Sequence, residues 1–177
     1  MSDEKIIIKR LEPANLDQVN QFRMSHSDDK PLQNFIRRKA RKSASANLTQ
    51  TYVAKVENTL PIIGYISVMC AEIKLDNAYE IGDKPDADIY EYQPAVRISR
   101  LAVEDSYRGK NVGRELVEMA IGITIYAIVP NAGCRFLILD AKPKSILFYE
   151  KLGFRLLDTD ENRSKATPLM FMDLRPC

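Results

Sequence analysis

The stretch Leu101-Ala102-Val103-Glu104-Asp105-Ser106-Tyr107-Arg108-Gly109-Lys110-Asn111-Val112-Gly113-Arg114 decides how this chain is read. It ends a strand-like run, Ala95 to Val103, whose apolar anchors are Val96, Ile98, Leu101 and Val103. It also opens a long stretch of helical spacing that reaches about Val129. A strand ends, a basic turn follows, and a helix begins. The first N–H groups of a helix have no intrahelical acceptor and favour an anion. Gly109 and Gly113 let the main chain approach a ligand closely, and Arg108, Lys110 and Arg114 add positive charge beside the amides. Such a turn can cradle a pyrophosphate. It is not a P-loop, which needs a Gly-Lys-Ser/Thr ending, and it is not the Gly-x-Gly-x-x-Gly dinucleotide fingerprint. Taken alone, the same residues also make a basic turn that caps a helix and holds nothing.

Outward from this segment the pattern alternates strand and helix. Ile6, Ile7 and Ile8 mark a strand over Lys5 to Arg10. Pro13 suits a first helical turn, with Leu16, Val19 and Phe22 at helical spacing. A second helix is expected from about Asp29 to Ser45, with Leu32, Phe35, Ile36 and Ala40 on one side and Arg37, Arg38, Arg41 and Lys42 on another arc; Lys39 falls among the apolar positions. Thr51 to Val56 and Ile62 to Glu72 read as strands, and residues 74–94 as a polar excursion outside the core. The long helix has the core stripe Val112, Leu116, Met119, Ala120, Ile123 and Ala127, and its second half is expected to be buried on both sides. Phe136 to Asp140 is a short apolar strand. Pro143 opens a helix that Gly153 terminates, and Phe154 to Leu157 and Leu169 to Leu174 are the last strands. The order β-α-α-β-β-β-α-β-α-β-β is a mixed α/β sheet in one layered domain over residues 1–177.

Composition narrows the class. The chain has 177 residues, 45% of them hydrophobic and 28% charged, which excludes a disordered or membrane class. Its 26 basic and 24 acidic residues leave a net charge of +2, so the total does not indicate a strongly basic nucleic-acid binder. The charge is segregated, however. Lys30 to Val56 holds Lys30, Arg37, Arg38, Lys39, Arg41, Lys42 and Lys55 and no acid; Asp76 to Gln93 holds Asp76, Glu80, Asp83, Asp86, Asp88 and Glu91 against Lys84. Cys70, Cys134 and Cys177 have no metal spacing, and with no apolar leader they read as reduced thiols of a cytoplasmic protein, Cys70 and Cys134 as small core residues. The single histidine, His26, lies in a polar stretch; it leaves a Ser-His-Asp triad unsupported and excludes a two-histidine metal site, and no metal is expected.

A second segment, Ser145-Ile-Leu-Phe-Tyr149-Glu-Lys-Leu-Gly153-Phe154, changes how the turn is read. Together the two resemble the signature segments of the GNAT superfamily of acyl-CoA-dependent N-acetyltransferases. Arg108 and Gly113 match the Arg/Gln-x-x-Gly-x-Gly/Ala pattern, Asn111 stands where the middle glycine would be, and Tyr149 to Phe154 match Tyr-Glu-Lys-x-Gly-Phe. Lys142 stands where many members carry an asparagine. The resemblance implies a GNAT fold, with a mostly antiparallel, twisted sheet flanked by helices. Its strands Ala95–Val103 and Phe136–Asp140 would splay to admit acetyl-CoA. It implies that backbone groups of Leu101, Ala102 and Val103 pair with the pantetheine arm and that the amides of Arg108, Gly109, Lys110, Asn111, Val112 and Gly113, beside Arg114, hold the pyrophosphate. Tyr149 would be the general acid that protonates the departing thiolate, a role suited to a phenol of pKa near 10. Direct transfer in a ternary complex follows, because no cysteine but Cys134 is even a candidate nucleophile. Glu72, Glu104 and Asp105 are the candidate bases, each equally readable as solvated surface.

A narrower resemblance joins Leu32-Gln-Asn-Phe-Ile-Arg-Arg-Lys-Ala-Arg, Thr51-Tyr-Val-Ala, Ile98-Ser-Arg-Leu-Ala-Val and Gly133-Cys-Arg-Phe. These look like the GNAT toxins of bacterial toxin–antitoxin pairs, although Met24 to Lys30 lacks their Cys-Gly-containing segment. That likeness implies acetylation of aminoacyl-tRNA, a homodimer and a small DNA-binding antitoxin. Arg37, Arg38, Arg41 and Lys42 would then contact tRNA phosphates, against the plainer reading of a solvated helix face. The rival readings are a small-molecule or protein amine acetyltransferase that attracts a cationic substrate with the acidic stretch 76–91, and a CoA-binding regulatory module without turnover.

Overall fold

A computed structural model describes residues 4–13, 17–82 and 90–174. The strand-forming runs become β1 (Ile6–Arg10), β2 (Gln50–Val56), β3 (Gly64–Ile73), β4 (Gln93–Val103), β5 (Phe136–Asp140), β6 (Arg155–Leu156) and β7 (Leu169–Asp173). They form one open sheet in the order β1-β2-β3-β4-β5-β7-β6. The β1/β2, β2/β3, β5/β7 and β6/β7 pairs are antiparallel. Arg135 N–H donates to Pro94 O at 2.9 Å as β5 begins, and Arg97 ion-pairs with Asp140 further along, so β4 and β5 run the same way. That is the sense a strand–helix–strand crossover requires. The helices are α1 (Lys30–Arg38), α2 (Ala40–Ser45), α3 (Val112–Ile123), α4 (Ile146–Glu150) and α5 (Asp160–Arg163). The mixed, mostly antiparallel α/β architecture is the one expected.

The chain divides into two compact units, Met1–Met69 with Ile98–Ile121 and Cys70–Arg97 with Gly122–Cys177. In the first, Phe22, Met24, Phe35, Ile36, Ala40, Val53, Ile62, Tyr65 and Ala102 form one apolar cluster. Tyr65 is its hub: its ring stacks on Phe35 and meets Phe22 edge-on, and its hydroxyl donates to Leu32 O at 2.8 Å. In the second, Phe136, Ile138, Leu157 and Phe171 pack with Ile73, Leu75, Ile81 and Ala95.

Several sequence expectations fail for identifiable reasons. The helix expected from Pro13 is absent over 17–22, and Leu16 lies outside the described residues. Asp17 turns its buried carboxylate onto Glu12 N–H (3.3 Å), Lys9 (3.0 Å) and Lys55 (3.5 Å), and Gln18 N–H donates to Leu60 O (3.1 Å). The backbone is thereby drawn into a bridge with Pro61, leaving room only for the 3₁₀ turn Val19–Gln21. The helix expected to reach Ser45 breaks at Lys39, where φ is −117°; the break turns Lys39 out of the apolar stripe and into solvent. The excursion after β3 is partly core. Leu75 and Ile81 are buried, and Tyr79 packs edge-on against Phe136 and Phe171 while its hydroxyl donates to Asp173 (2.8 Å). Asp83, Lys84, Pro85, Asp86 and Asp88 of that stretch lie outside the described residues.

The long helix keeps its stripe at Val112, Leu116 and Ala120, but its second half is not buried on both sides. It continues as a π-helical turn, Thr124–Ile128, closed by Val129 N–H to Thr124 O at 2.9 Å. The wider turn shifts the face, so that Thr124 is buried while Ile125 and Tyr126 face solvent. Cys70 is exposed, not core; Cys134 is half-buried, and Cys177 lies outside the described residues.

Candidate functional site

The turn that opened the sequence reading forms as a strand–turn–helix junction within the first unit. Ala102 packs into the core cluster, while Leu101 and Val103 on the opposite face of β4 are half-buried. After a 3₁₀ turn, Asp105–Tyr107, the chain passes through Gly109 at φ +77° and Asn111 at φ +63° before α3 begins. Both lie in the left-handed region, where asparagine is the best tolerated residue after glycine. Asn111 thus holds a left-handed conformation at the position where the motif has its middle glycine. A β-carbon at Gly109 would meet nothing within 4 Å, so this side of the turn is open. The leading amides of α3 have no intrahelical acceptors.

The start of α3 is set down on the sheet by Gly64, which the sequence reading missed. A β-carbon there would lie 3.1 Å from Leu116 Cδ1 and from Val112 Cγ1, and 3.2 Å from Ala102 O. Only the missing side chain lets the first two turns of α3 approach β3 so closely.

The side-chain charges around the turn are largely committed. Arg108 Nη2 lies 2.9 Å from Asp29 Oδ2 and 3.1 Å from Asp105 Oδ1. Arg114 pairs with Glu118 (2.8 Å), and the Lys110 ammonium sits 4.7 Å from the Tyr107 ring centroid. The two acids before the turn hold backbone: Glu104 accepts Arg23 N–H and Asp105 accepts Ser25 N–H, each at 2.7 Å. The Ser25 hydroxyl and N–H, with Arg108 beyond them, hold Asp105 below the usual carboxylate range. Each thus has one oxygen committed to backbone, and Glu72 is an exposed residue of β3.

The basic arc divides. Arg37 donates to Phe22 O, and Arg41 donates to Glu12 O and Asp17 O (3.1 Å each), whereas Arg38 and Lys42 are exposed. A cation the sequence reading did not single out, Arg100, lies over the Phe35 ring at 3.8 Å.

Tyr149 belongs to the second unit. Pro143–Ser145 forms a 3₁₀ turn that leads into α4, and Gly153 at φ +93° ends the segment with its N–H on Glu150 O (3.0 Å). Tyr149 is 8% exposed and wedged edge-on between Phe148 and Phe154. Burial alone pushes its phenol up to about 12, so it stays protonated throughout the physiological range. Cys134 is unsuited to nucleophilic attack: burial raises its pKa, and its thiol donates to Phe136 O. Among the described residues no group of three His, Cys, Asp or Glu could hold a metal, and no helix is long and apolar enough to cross a membrane.

A family model described as an acetyltransferase (GNAT) domain matches residues 47–156, well over half of the chain. The chain belongs to the GNAT acetyltransferase family. Its fold is shared with solved toxin structures along almost their whole length. A crystal structure of a tyrosine-to-phenylalanine variant of KacT has a TM-score of 0.76 at 20% identity, covering 95% of this chain and 94% of that one. AtaT complexed with acetyl-methionyl-tRNAfMet has a TM-score of 0.78 at 19% identity, covering 96% and 95%. In sequence, this GNAT domain is 35% identical over 66 residues to a probable glucosamine 6-phosphate N-acetyltransferase of Drosophila melanogaster. It is 41% identical over 58 residues to a glucosamine 6-phosphate N-acetyltransferase of Trypanosoma brucei brucei. These matches cover 37% and 33% of this chain but only 28% and 36% of those proteins, so the chain matches about a third of each relative's length.

Proposed function

We propose that this GNAT domain transfers the acetyl group of acetyl-CoA to the α-amine of aminoacyl-tRNA, as the enzymatic half of a toxin–antitoxin pair. The carrying observation is the left-handed pair Gly109 and Asn111, which opens the N-terminus of α3 as an anion cradle. The amides from Arg108 to Gly113 hold the pyrophosphate, with Lys110 and Arg114 beside them, and the backbone of Leu101, Ala102 and Val103 pairs with the pantetheine arm. Acetyl-CoA supplies an activated acyl thioester. The acceptor amine attacks the acetyl carbon, the C–S bond breaks, and the Tyr149 hydroxyl hands its proton to the departing sulfur. Burial keeps the Tyr149 phenol protonated at neutral pH, so the proton is present when the sulfur departs.

The choice of acceptor rests on what the candidate bases do. Glu104 and Asp105 are occupied with backbone N–H groups. A lysine amine of pKa about 10.4 needs a base; an α-amine of pKa near 8 is already about one-tenth neutral at pH 7 and needs much less help. The AtaT structure with acetyl-methionyl-tRNAfMet, and those of AtaT with the antitoxin AtaR and of KacTA with DNA, favour the same substrate and a DNA-binding antitoxin partner. Arg38 and Lys42 are the exposed cations proposed to meet tRNA phosphates, in a cytoplasmic homodimer. The amino-sugar relatives favour a second reading, a small phosphorylated amine as acceptor.

The test is transfer of labelled acetyl from acetyl-CoA in a mixture of aminoacyl-tRNA, glucosamine 6-phosphate, polyamines and protein. Label on aminoacyl-tRNA is the expected result. Label on the amino sugar alone would overturn the tRNA reading, and no label on any acceptor would overturn the activity.

A further inference from the structure

Three consecutive backbone amides, those of Arg23, Met24 and Ser25, donate to side-chain oxygens of Glu104, Gln33 and Asp105 at 2.7, 2.9 and 2.7 Å. Two of these acceptors sit on the link between β4 and the cradle turn. The third, the buried Gln33, lies in α1. Lys30 Nζ donates to Met24 O (2.7 Å) and Arg37 to Phe22 O. Segment 22–25 is thus held on all sides by side chains, although it forms no strand or helix. Arg108 completes the arrangement. Its guanidinium bridges Asp105, which grips Ser25, and Asp29, which stands at the start of α1. Asp29 is buried and makes no cap bond to α1 with its side chain. An aspartate at a helix start ordinarily bonds the helix's own amides; here it faces an arginine 79 positions away.

We propose that Arg108 and Asp29 are a positioning pair. They clamp segment 22–29 and the first turn of α1 against the cradle turn, so that the Arg108 cation serves the acceptor side and the pyrophosphate is left to the backbone amides. This rests on the acetyltransferase reading above. It deepens it by separating two jobs that the motif assigns to one residue. Both carboxylates meet one nitrogen, Nη2, held at the end of a rigid planar group; a lysine ammonium on its flexible stem keeps the charge but not that placement, so it restores the clamp only in part. Because α1 and α2 carry the exposed Arg38 and Lys42, loosening the clamp shifts the face proposed to meet the acceptor while leaving the amides of Gly109 to Gly113 in place.

The test compares Arg108→Gln, Arg108→Lys, Asp29→Asn and the Arg108→Gln/Asp29→Asn double variant. CoA affinity is measured by calorimetry, thermal unfolding is measured alongside, and kcat and KM are measured for whichever acceptor takes the label in the transfer experiment. The expected result is CoA affinity within about threefold of the parent for all four, and acceptor KM raised by about tenfold in Arg108→Gln and Asp29→Asn alike. The double variant should fall well short of the sum of the two single losses, because both singles remove the Arg108–Asp29 contact, Arg108→Gln also losing the one to Asp105. Arg108→Lys should recover only part of the acceptor KM. If Arg108→Gln weakens CoA tenfold or more while Asp29→Asn leaves it unchanged, Arg108 is a phosphate ligand and the proposal is wrong. Additive effects in the double variant would also overturn it. If the parent protein binds no CoA, the acetyltransferase reading fails instead, and the pair is judged by the unfolding cycle: non-additive losses support the clamp, additive losses refute it.

Discussion

Asn111 offers a quantitative test of the cradle. It stands at φ +63° on an exposed turn, so its contribution comes from backbone conformation and not from packing. A residue with a β-carbon in the left-handed region costs about 1–2 kcal/mol, and asparagine escapes part of that cost. Asn111→Ala should therefore cost about 1 kcal/mol. The free turn can relax to avoid the strain, in which case binding must restore the strained form and the cost appears in affinity. One kcal/mol corresponds to about a fivefold loss. We expect the CoA Kd and the KM for acetyl-CoA to rise about fivefold in Asn111→Ala with kcat unchanged, and to stay near the parent values in Asn111→Gly. Calorimetric titration with CoA, paired with steady-state kinetics, separates these. Equal losses in the alanine and glycine variants would mean that the amide side chain is itself the ligand. No change in either would mean that the left-handed turn plays no part in binding. Either outcome refutes the reasoning.

Replacing Tyr149 by Phe should lower kcat by about 10²–10⁴-fold, the usual range for a general acid, with CoA Kd unchanged by calorimetry; an unchanged kcat removes Tyr149 as the acid. The same phenol predicts an alkaline stability loss. Its folded pKa of about 12 lies above the unfolded value of 10, so its contribution is complete below pH 10 and disappears as pH rises to about 12. That loss amounts to about 3 kcal/mol, and the urea midpoint of the parent should fall relative to that of Tyr149→Phe over this window. Asp17 works in the opposite sense. Burial raises its pKa, but hydrogen bonds from Lys9 and Glu12 N–H and the charges of Lys9 and Lys55 outweigh it and lower the pKa, so its contribution is present above about pH 4 and is lost in more acid solution. Asp17→Ala strands the buried Lys55 and should cost about 3–5 kcal/mol, seen as a large drop in Tm near neutral pH. Gly64→Ala should cost about 1–3 kcal/mol by overpacking against Val112, Leu116 and the Ala102 carbonyl. Because the start of α3 must lift, it should also raise KM for acetyl-CoA.

What the sequence showed and what it hid follow from the range of the interactions. The strands, the first half of the α3 stripe (Val112, Leu116 and Ala120) and the Gly153 stop are local patterns, and they are where the sequence placed them. The absence of helix over 17–22 depends on Asp17 meeting Lys9 and Lys55, contacts that no local periodicity contains. Likewise Leu75, Tyr79 and Ile81 look like members of a polar loop until β5 and β7 provide Phe136 and Phe171 to pack against. In the candidate site, the turn and Tyr149 carry recognisable residue types at fixed spacing. The partners of Arg108 do not. Asp29 was no more than the expected start of a helix, and Asp105 and Glu104 were readable as solvated acids, because the signal that reassigns them is a distance across some 80 positions. Gly64 gave no signal in a strand; only the approach of Val112 and Leu116 explains it.

The charge asymmetry acquires a limit when each cation is followed to its partner. Of the seven basic residues between Lys30 and Val56, Lys30, Arg37 and Arg41 hold backbone carbonyls and Lys55 faces Asp17. Arg38, Lys39 and Lys42 remain exposed on or between α1 and α2. A polyanion loses about 0.7–0.9 log units of affinity per log unit of salt for each phosphate neutralised. If all seven cations met tRNA, the slope would be about −5 to −6; with only three available, this face contributes about −2 to −3. The slope of tRNA affinity against salt, compared between the parent and a protein carrying Arg38→Gln, Lys39→Gln and Lys42→Gln, isolates that share. We expect the slope to become shallower by about 2–3. A slope that the triple variant leaves unchanged would show that this face does not meet tRNA, and the basic run would then be structural: four cations that hold the fold together and three that keep its surface soluble.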